Sequence, residues 1–525
     1  MQILPLALIL VACLLNYVLG SAIPQHARRQ PVLPAPQLIT LPLKRFQTMP
    51  KDIHPQMLMQ QYINHASKRL ARMTGREEPT EHQLRSEIHK RLYLLEGGSA
   101  PSPSSSGSSF KDGNTRLGMA VAHGHGKQSS EGMVNNGTAM PGNATGSGNA
   151  TSSGGPATSG NSTGISPLDI QAANNGGLTP ANPPTTNNSL GLAIEANDVA
   201  YIATIQIGTP ARDFRILMDS GSADFWVGSE NCQSSTGGGC CLKGNHTFLG
   251  PQSSSSFVSS KTQFQVTYGS GAVEGTLCQD QVGIAGLTLN NHTFGVAAAE
   301  TPQFASSSVP FDGLMGLAQS TLSQQNVSTP VESLASNGLI PAAITSFKIS
   351  RLSDQLNDGE VTFGGLDSSK FVANTLITIP NVNQQGFWEG AIDAVSINGA
   401  DSGLTGRTAI LDTGTTAMVI PPADAQQLMQ GLGGTCDTQQ CTLPCTANSS
   451  LALSFGGSSF SINPSDLLIV PVQPNDPTGD CVAGIQPQQI GAPTQWLVGD
   501  VFLKNAYFST DVGNNSISLA QLSAP

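Results

Sequence analysis

Two short stretches constrain this chain more than anything else in it. Ile216-Leu217-Met218 leads into Asp219-Ser220-Gly221-Ser222, and Ala409-Ile410-Leu411 leads into Asp412-Thr413-Gly414-Thr415. In each, an apolar run delivers one carboxylate, then a hydroxyl, a glycine and a second hydroxyl. One acid at the end of an apolar strand carries little meaning. Two such acids, 193 residues apart and with the same sequel, read as a duplicated half-site. Gly221 and Gly414 permit a tight turn at each copy. A second repeated unit agrees: Leu314-Met315-Gly316 follows the first acid and Leu497-Val498-Gly499 the second. Their glycines fall 97 and 87 residues after the acids. A glycine there lets another backbone pass close by.

The rest of the body reads as short strands with Gly-containing turns. Ala200–Ile207 alternates like a strand and Gly208-Thr209-Pro210 turns it, with the next strand over Phe214–Met218. Few segments read as helix, the best being Thr329–Asn337 and Ala423–Gln430. The expected fold is mainly β, in two similar halves over 191–370 and 371–525. At 525 residues the chain exceeds what one core usually serves.

Three segments precede that body. Residues 1–20 carry the apolar run of a secretory signal, although no Lys or Arg opens it. Residues 21–96 form a basic leader, with helix-like spacing over Met57–Arg72 and Glu81–Leu94. Residues 97–190 are dominated by Ser, Gly, Asn, Thr and Pro, and read as a linker that cannot bury enough apolar surface to order itself. Charge divides at the same place. Residues 1–190 hold 15 Lys+Arg against 9 Asp+Glu, and residues 191–525 hold 9 against 26. An acidic body argues against nucleic-acid binding. A basic leader suits electrostatic docking on that body.

Cysteine usage fits an extracytoplasmic route. Cys13 lies in the signal, and four cysteines fall in each half: Cys232, Cys240, Cys241 and Cys278, then Cys436, Cys441, Cys445 and Cys481. No histidine is interleaved at ligand spacing, so no metal is expected. Ten Asn-X-Ser/Thr sequons point to a glycoprotein. No later stretch is long and apolar enough to span a bilayer, so no membrane anchor is expected.

Taken together, Asp219-Ser220-Gly221-Ser222, Tyr268-Gly269, Phe311-Asp312-Gly313, Asp412-Thr413-Gly414-Thr415 and Gly499-Asp500-Val501-Phe502 resemble the pepsin-like aspartic proteases in order and spacing. The likeness covers about residues 195–525. It implies a bilobal fold of two β-barrel-like lobes with an active-site cleft between them. It implies an aspartic endopeptidase in which Asp219 and Asp412 form one catalytic dyad. Two close carboxylates cannot both ionise easily, so they share a proton. The ionised member takes a proton from water and the other hydrogen-bonds the scissile carbonyl, with no cofactor. Ser220 and Thr413 would brace the two turns, and Ser222 and Thr415 would orient the carboxylates. Tyr268 and Gly269 would lie on a hairpin flap, with Trp226 supporting the tyrosine. Leu217, Phe304 and Leu314 would line the cleft and favour apolar substrate residues.

The resemblance extends more loosely to the leader, whose Leu41-Pro42-Leu43-Lys44 looks like the start of a family prosegment. That implies a zymogen, inhibited by its own prosegment and activated in acid, acting as a monomer on protein or peptide substrates. Secretion is the expected destination, with the vacuole as the alternative. Cys445 and Cys481 resemble the family's C-lobe bridge, leaving Cys436 for Cys441. In the first half two connectivities stay open: Cys232–Cys240 with Cys241–Cys278, or Cys232–Cys241 with Cys240–Cys278. Two other readings compete. Paired carboxylates also cleave glycosidic bonds, but that chemistry does not call for two hydroxyl-Gly-hydroxyl turns. A non-catalytic binding protein of the same fold would typically have lost an aspartate or the flap tyrosine.

Overall fold

The first hairpin shows how alternation becomes architecture. Strand Ala200–Ile207 pairs antiparallel with Arg212–Asp219, with Ile202 opposite Leu217 and Ile205 opposite Phe214. Phe214, Ile216 and Met218 point into the large core, whereas Leu217 joins a second cluster with Trp226, Tyr268 and Leu314. Both faces of the strand end are therefore apolar and buried, which is why the run before Asp219 hardly alternates.

The computed structural model describes residues 164–524 apart from 236–245, 269–270, 307–308, 438–439 and 474–475. The expected signal, the basic leader and the 97–163 part of the linker lie outside the described residues, as do Gly269, Cys240 and Cys241.

Five sheets of four or more strands are described. A nine-stranded sheet takes its strands from Leu178 to Gly316 and includes both members of the hairpin Val258–Thr267 and Ala272–Ile284. Strand Ala200–Ile207 also pairs with Ala272–Ile284, through Gln206 and Gly283, so this sheet curls back on itself. Residues 389–498 supply sheets of five, four and four strands. A six-stranded sheet joins strands from both halves, in the order Ile377–Pro380, Ser516–Ala520, Tyr507–Asp511, Ile344–Lys348, Glu360–Phe363, Ser189–Gly191.

The two expected helices form. Pro330–Ser336 starts at Thr329, whose hydroxyl accepts from Glu332 N–H while the Glu332 carboxylate accepts from Thr329 N–H, closing a capping box. Pro422–Leu432 ends at Gly433 in the left-handed region, φ 86°.

Two expectations are corrected. The C-terminal part of the 97–190 stretch is ordered: helix α1 (Pro167–Asn175) and strands Leu178–Thr179 and Ser189–Gly191 lie within it. Its composition supplies few apolar residues, but Ile165 and Ile170 are buried in the core that the rest of the body already provides. A sparse apolar set suffices when it docks on an existing surface instead of building its own. In the second half Cys436–Cys441 and Cys445–Cys481 are bridged. In the first, Cys232 is disulfide-bonded. Cys278 is a free, fully buried thiol, against both connectivities expected. Its side chain packs in the core on strand Ala272–Ile284, opposite Phe294, and burial raises its pKa.

Candidate active site

Each acid is delivered by a strand end that a parallel neighbour supports. Gly313–Gly316 runs parallel to the 212–219 strand, with Gly316 opposite Asp219. Gln495–Val498 runs parallel to Arg407–Leu411, with Val498 opposite Leu411. The Asp219 carbonyl accepts from Leu317 N–H at 2.8 Å, and Asp412 N–H donates to the Val498 carbonyl at 3.0 Å. A Cβ on Gly316 would meet the backbone of Ala223 and Asp224, and one on Gly499 would meet the Thr415 carbonyl. These are the close backbone passages that the repeated glycines suggested.

The two turns interlock. Ser220 N–H donates to Thr413 Oγ1 at 3.0 Å, and Thr413 N–H donates to Ser220 Oγ at 2.9 Å. Each hydroxyl in turn donates to the strand before the other acid: Ser220 Oγ to the Leu411 carbonyl at 3.0 Å, Thr413 Oγ1 to the Met218 carbonyl at 2.8 Å. All four bonds are buried, where an unmade bond is costly.

The carboxylates are held the same way. Asp219 Oδ1 accepts from Gly221 N–H at 2.9 Å and its Oδ2 accepts from the Ser222 hydroxyl. Asp412 Oδ1 accepts from Gly414 N–H at 2.8 Å and its Oδ2 from Thr415 Oγ1 at 2.7 Å. Both acids are 1 % exposed. A side chain on Gly221 would collide with the Asp412 carboxylate, and one on Gly414 with the Asp219 carboxylate. Each acid therefore lies against the glycine of the opposite turn, and the two converge on one place.

This arrangement identifies the chain. Its residues 200–522 match the family model described as eukaryotic aspartyl protease. The chain belongs to the eukaryotic aspartyl protease family. It is 33 % identical over 348 residues to the aspartic-type endopeptidase ctsD of Aspergillus fumigatus, covering 66 % of this chain and 70 % of that protein. It is 31 % identical over 330 residues to pepsin A of Suncus murinus, covering 62 % and 81 %. With a probable vacuolar protease A of Trichophyton verrucosum it shares 31 % over 327 residues, covering 61 % and 78 %. The fold is accordingly the bilobal, mainly β, pepsin-like fold, and the enzyme is an aspartic-type endopeptidase, a hydrolase of peptide substrates.

The remaining expected site residues of this aspartyl protease gather on the Asp219 side. Tyr268 directly follows strand Val258–Thr267 of the 258–284 hairpin and is buried, its N–H donating to the Gly271 carbonyl at 2.7 Å. Trp226 Nε1 donates to Tyr268 Oη at 2.7 Å. Phe304 meets Tyr268 edge-on at 5.7 Å between ring centroids, and meets Trp226 at 5.4 Å. Leu217 and Leu314 complete the same apolar cluster. Asp312 anchors it, its carboxylate accepting from Arg215 N–H at 2.8 Å and from Thr247 N–H at 3.0 Å.

One group of the site escaped sequence reasoning. Asp500 follows the second close-passage glycine, and its N–H donates to the Thr415 carbonyl at 2.8 Å. Its side chain is fully buried with neither carboxylate oxygen hydrogen-bonded. Burial pushes its pKa well above the usual carboxylate range; Lys504 opposes this, and Asp412 and then Asp198 and Asp219 reinforce it. The motif quoted from the sequence contained Asp500, but nothing in its spacing said that the acid faces inward beneath the Asp412 turn. Among the described residues no group of three or more His, Cys, Asp or Glu is arranged to hold a metal ion.

Proposed function

We propose that Asp219 and Asp412 act together as the catalytic dyad, hydrolysing peptide bonds with water and no covalent intermediate. The observation that carries this is the mutual seating of the two turns, each carboxylate against the other turn's glycine. One carboxylate, ionised, takes a proton from the attacking water; the other, protonated, donates a hydrogen bond to the scissile carbonyl. Oxygen adds to the carbonyl carbon, the C–N bond breaks, and the amine leaves with a proton. Ser222 and Thr415 hold the outer oxygens and leave the inner ones for substrate and water.

Tyr268 closes over the bound peptide, steadied by Trp226. Leu217, Phe304 and Leu314 give the cleft an apolar wall on that side, which favours apolar residues beside the scissile bond. The enzyme is made as a secretory precursor, either released from the cell or delivered to a vacuole, and works as a monomer. Its basic 21–96 leader covers the acidic body at neutral pH. Body carboxylates paired with leader Lys and Arg have depressed pKa values, so the pairing is present at higher pH and lost as pH falls through those values.

The test is Asp219→Asn and Asp412→Asn, each assayed on an unfolded protein substrate in acid. Each loses several orders of magnitude in turnover, because a shared-proton pair acts as a unit. Turnover by either variant at the unmodified rate removes that aspartate from the dyad.

A further inference from the structure

Helix α1 lies N-terminal to the residues that the family model matches, so its seat must be read from this chain alone. Ser166 caps it, accepting from Leu168 N–H at 3.2 Å, and Ile165 N–H donates to the Cys445 carbonyl at 2.9 Å. Ala173 packs against the cluster of Ala417, Val470 and Val482. Beyond the helix, Ala196 N–H donates to the Gly177 carbonyl at 2.9 Å. The segment thus ties the second half of the body to the loop before strand Ala200–Ile207. That loop in turn holds the Asp412 turn, because Thr416 Oγ1 donates to the Val199 carbonyl at 2.6 Å.

One side chain on the seated face is out of place. Asp169 lines a small cavity with Asn197, Asp198, Thr416, Asp466 and Lys504, and its Oδ1 is buried with no hydrogen-bond partner. The cations nearby are committed. Lys504 Nζ is shared between Asp198 Oδ2 and Asp466 Oδ1, both at 2.9 Å. Arg351 pairs in a bidentate fashion with Asp466, at 2.8 and 3.0 Å. Asp198 Oδ1 accepts from Leu352 N–H at 2.8 Å. Asp169 is therefore one acid more than the cluster can neutralise.

We propose that α1 is a pH-dependent clasp: it seats firmly in acid, steadies the Asp412 turn through Thr416 and Ala417, and loosens as the pH rises to neutrality through ionisation of Asp169. The groups facing Asp169 are Asp198 from the 196–199 loop, Asp466 from the turn Pro464–Leu467, Lys504 after helix Asp500–Leu503, and Asp354 from the loop after Ile344–Lys348. Strand Leu468–Pro471 presents no titratable side chain. Burial pushes the Asp169 pKa from 3.8 up to about 7; Asp198 adds to the rise, Lys504 opposes it, and Asp466 and Asp354 add the rest. Asp169 sits in the first turn, where the helix dipole alone would favour the ionised form. That pull is outweighed. Because the docked value lies above the ordinary one, the contribution to docking is complete below the ordinary value and is lost as pH rises towards about 7.

The experiment measures hydrogen-exchange protection of amides 168–176, relative to their intrinsic rates, in the full-length chain carrying Asp219→Asn to prevent self-digestion. Protection falls tenfold or more between about pH 4 and about pH 7.5, while strand Leu451–Phe455 keeps its protection. Adding Asp169→Asn flattens the α1 profile. Should that variant fold poorly, Asp169→Ala serves instead, with the same expected flattening. Flat α1 protection in the Asp219→Asn chain overturns the proposal, as does an unchanged pH profile after Asp169 is replaced. The link to turnover rests on Asp412 being catalytic, whereas the exchange measurement does not. Persisting activity in Asp219→Asn would count against the dyad and leave the clasp to be judged on exchange alone.

Discussion

The two halves of the site follow the same backbone plan and differ in what they hang on it. Strands 212–219 and 407–411 each place one apolar residue on the face away from the main core, Leu217 and Ile410. Each of those is paired with a leucine of the parallel neighbour, Leu314 and Leu497. The antiparallel partner of Leu314 is Trp226, and that of Leu497 is Val419. On one side the position therefore carries an indole that reaches the Tyr268 hydroxyl, inside a cluster with Phe304 and Phe311. On the other it carries a small aliphatic, among Phe387, Ile490 and Leu497. Exposure follows: Gly221 and Ser222 are buried, whereas Gly414 is exposed and Thr415 half-buried. Behind the turns the difference runs the other way. The residue after the close-passage glycine is Leu317 in the first half and the buried acid Asp500 in the second. Duplication accounts for the acids and their bracing. The Tyr268 hairpin belongs to the first half and the buried acid Asp500 to the second.

Four substitutions would break or sharpen this comparison. The largest effect is expected where the halves are most alike. Gly221→Ala and Gly414→Ala each put a methyl group into the opposite carboxylate, and should each reduce kcat/KM by about 10²-fold or more. A loss confined to one of them would show that the turns are not mutually seated. A smaller effect is expected where only the first half has a device. Trp226→Phe keeps an aromatic ring but removes the donor to Tyr268, which at ~0.5–1.5 kcal/mol for one hydrogen bond lowers kcat/KM by roughly two- to tenfold. Unchanged kinetics would mean that the indole is packing only. The smallest effect belongs to Asp500→Asn, read by thermal melting. The folded-state pKa of Asp500 is raised, so its contribution is present in acid and lost as the pH climbs through the raised value. The variant should melt near the unmodified protein in acid and gain on it as the pH rises. A constant difference across pH would show that Asp500 does not titrate within the range tested.

Both aspartate turns were legible because each is local: apolar strand, acid, hydroxyl, glycine, all within a few residues. The helix expected over Thr329–Asn337 was legible for the same reason, and the structure adds its capping box. The bridges Cys445–Cys481 and Cys436–Cys441 followed from the family resemblance. The order in residues 164–190 was not legible, since the apolar residues there are too few to predict a core and succeed only by borrowing one. The state of Cys278 was equally hidden, because sequence counts thiols but does not say which way a strand turns them.

By itself, then, the sequence determined the chemistry and the duplication: two carboxylates, their hydroxyls and glycines, and a mainly β body to carry them. Short-range pattern suffices for that, because strand alternation and turn formation are decided by neighbours along the chain. The tertiary structure alone decided which groups share an environment. Asp500 lies under Asp412, and Asp169 meets Asp198, Asp466 and Lys504 across as many as 335 residues of chain. Their burial and mutual repulsion, and hence their protonation, depend on distances that no local pattern encodes.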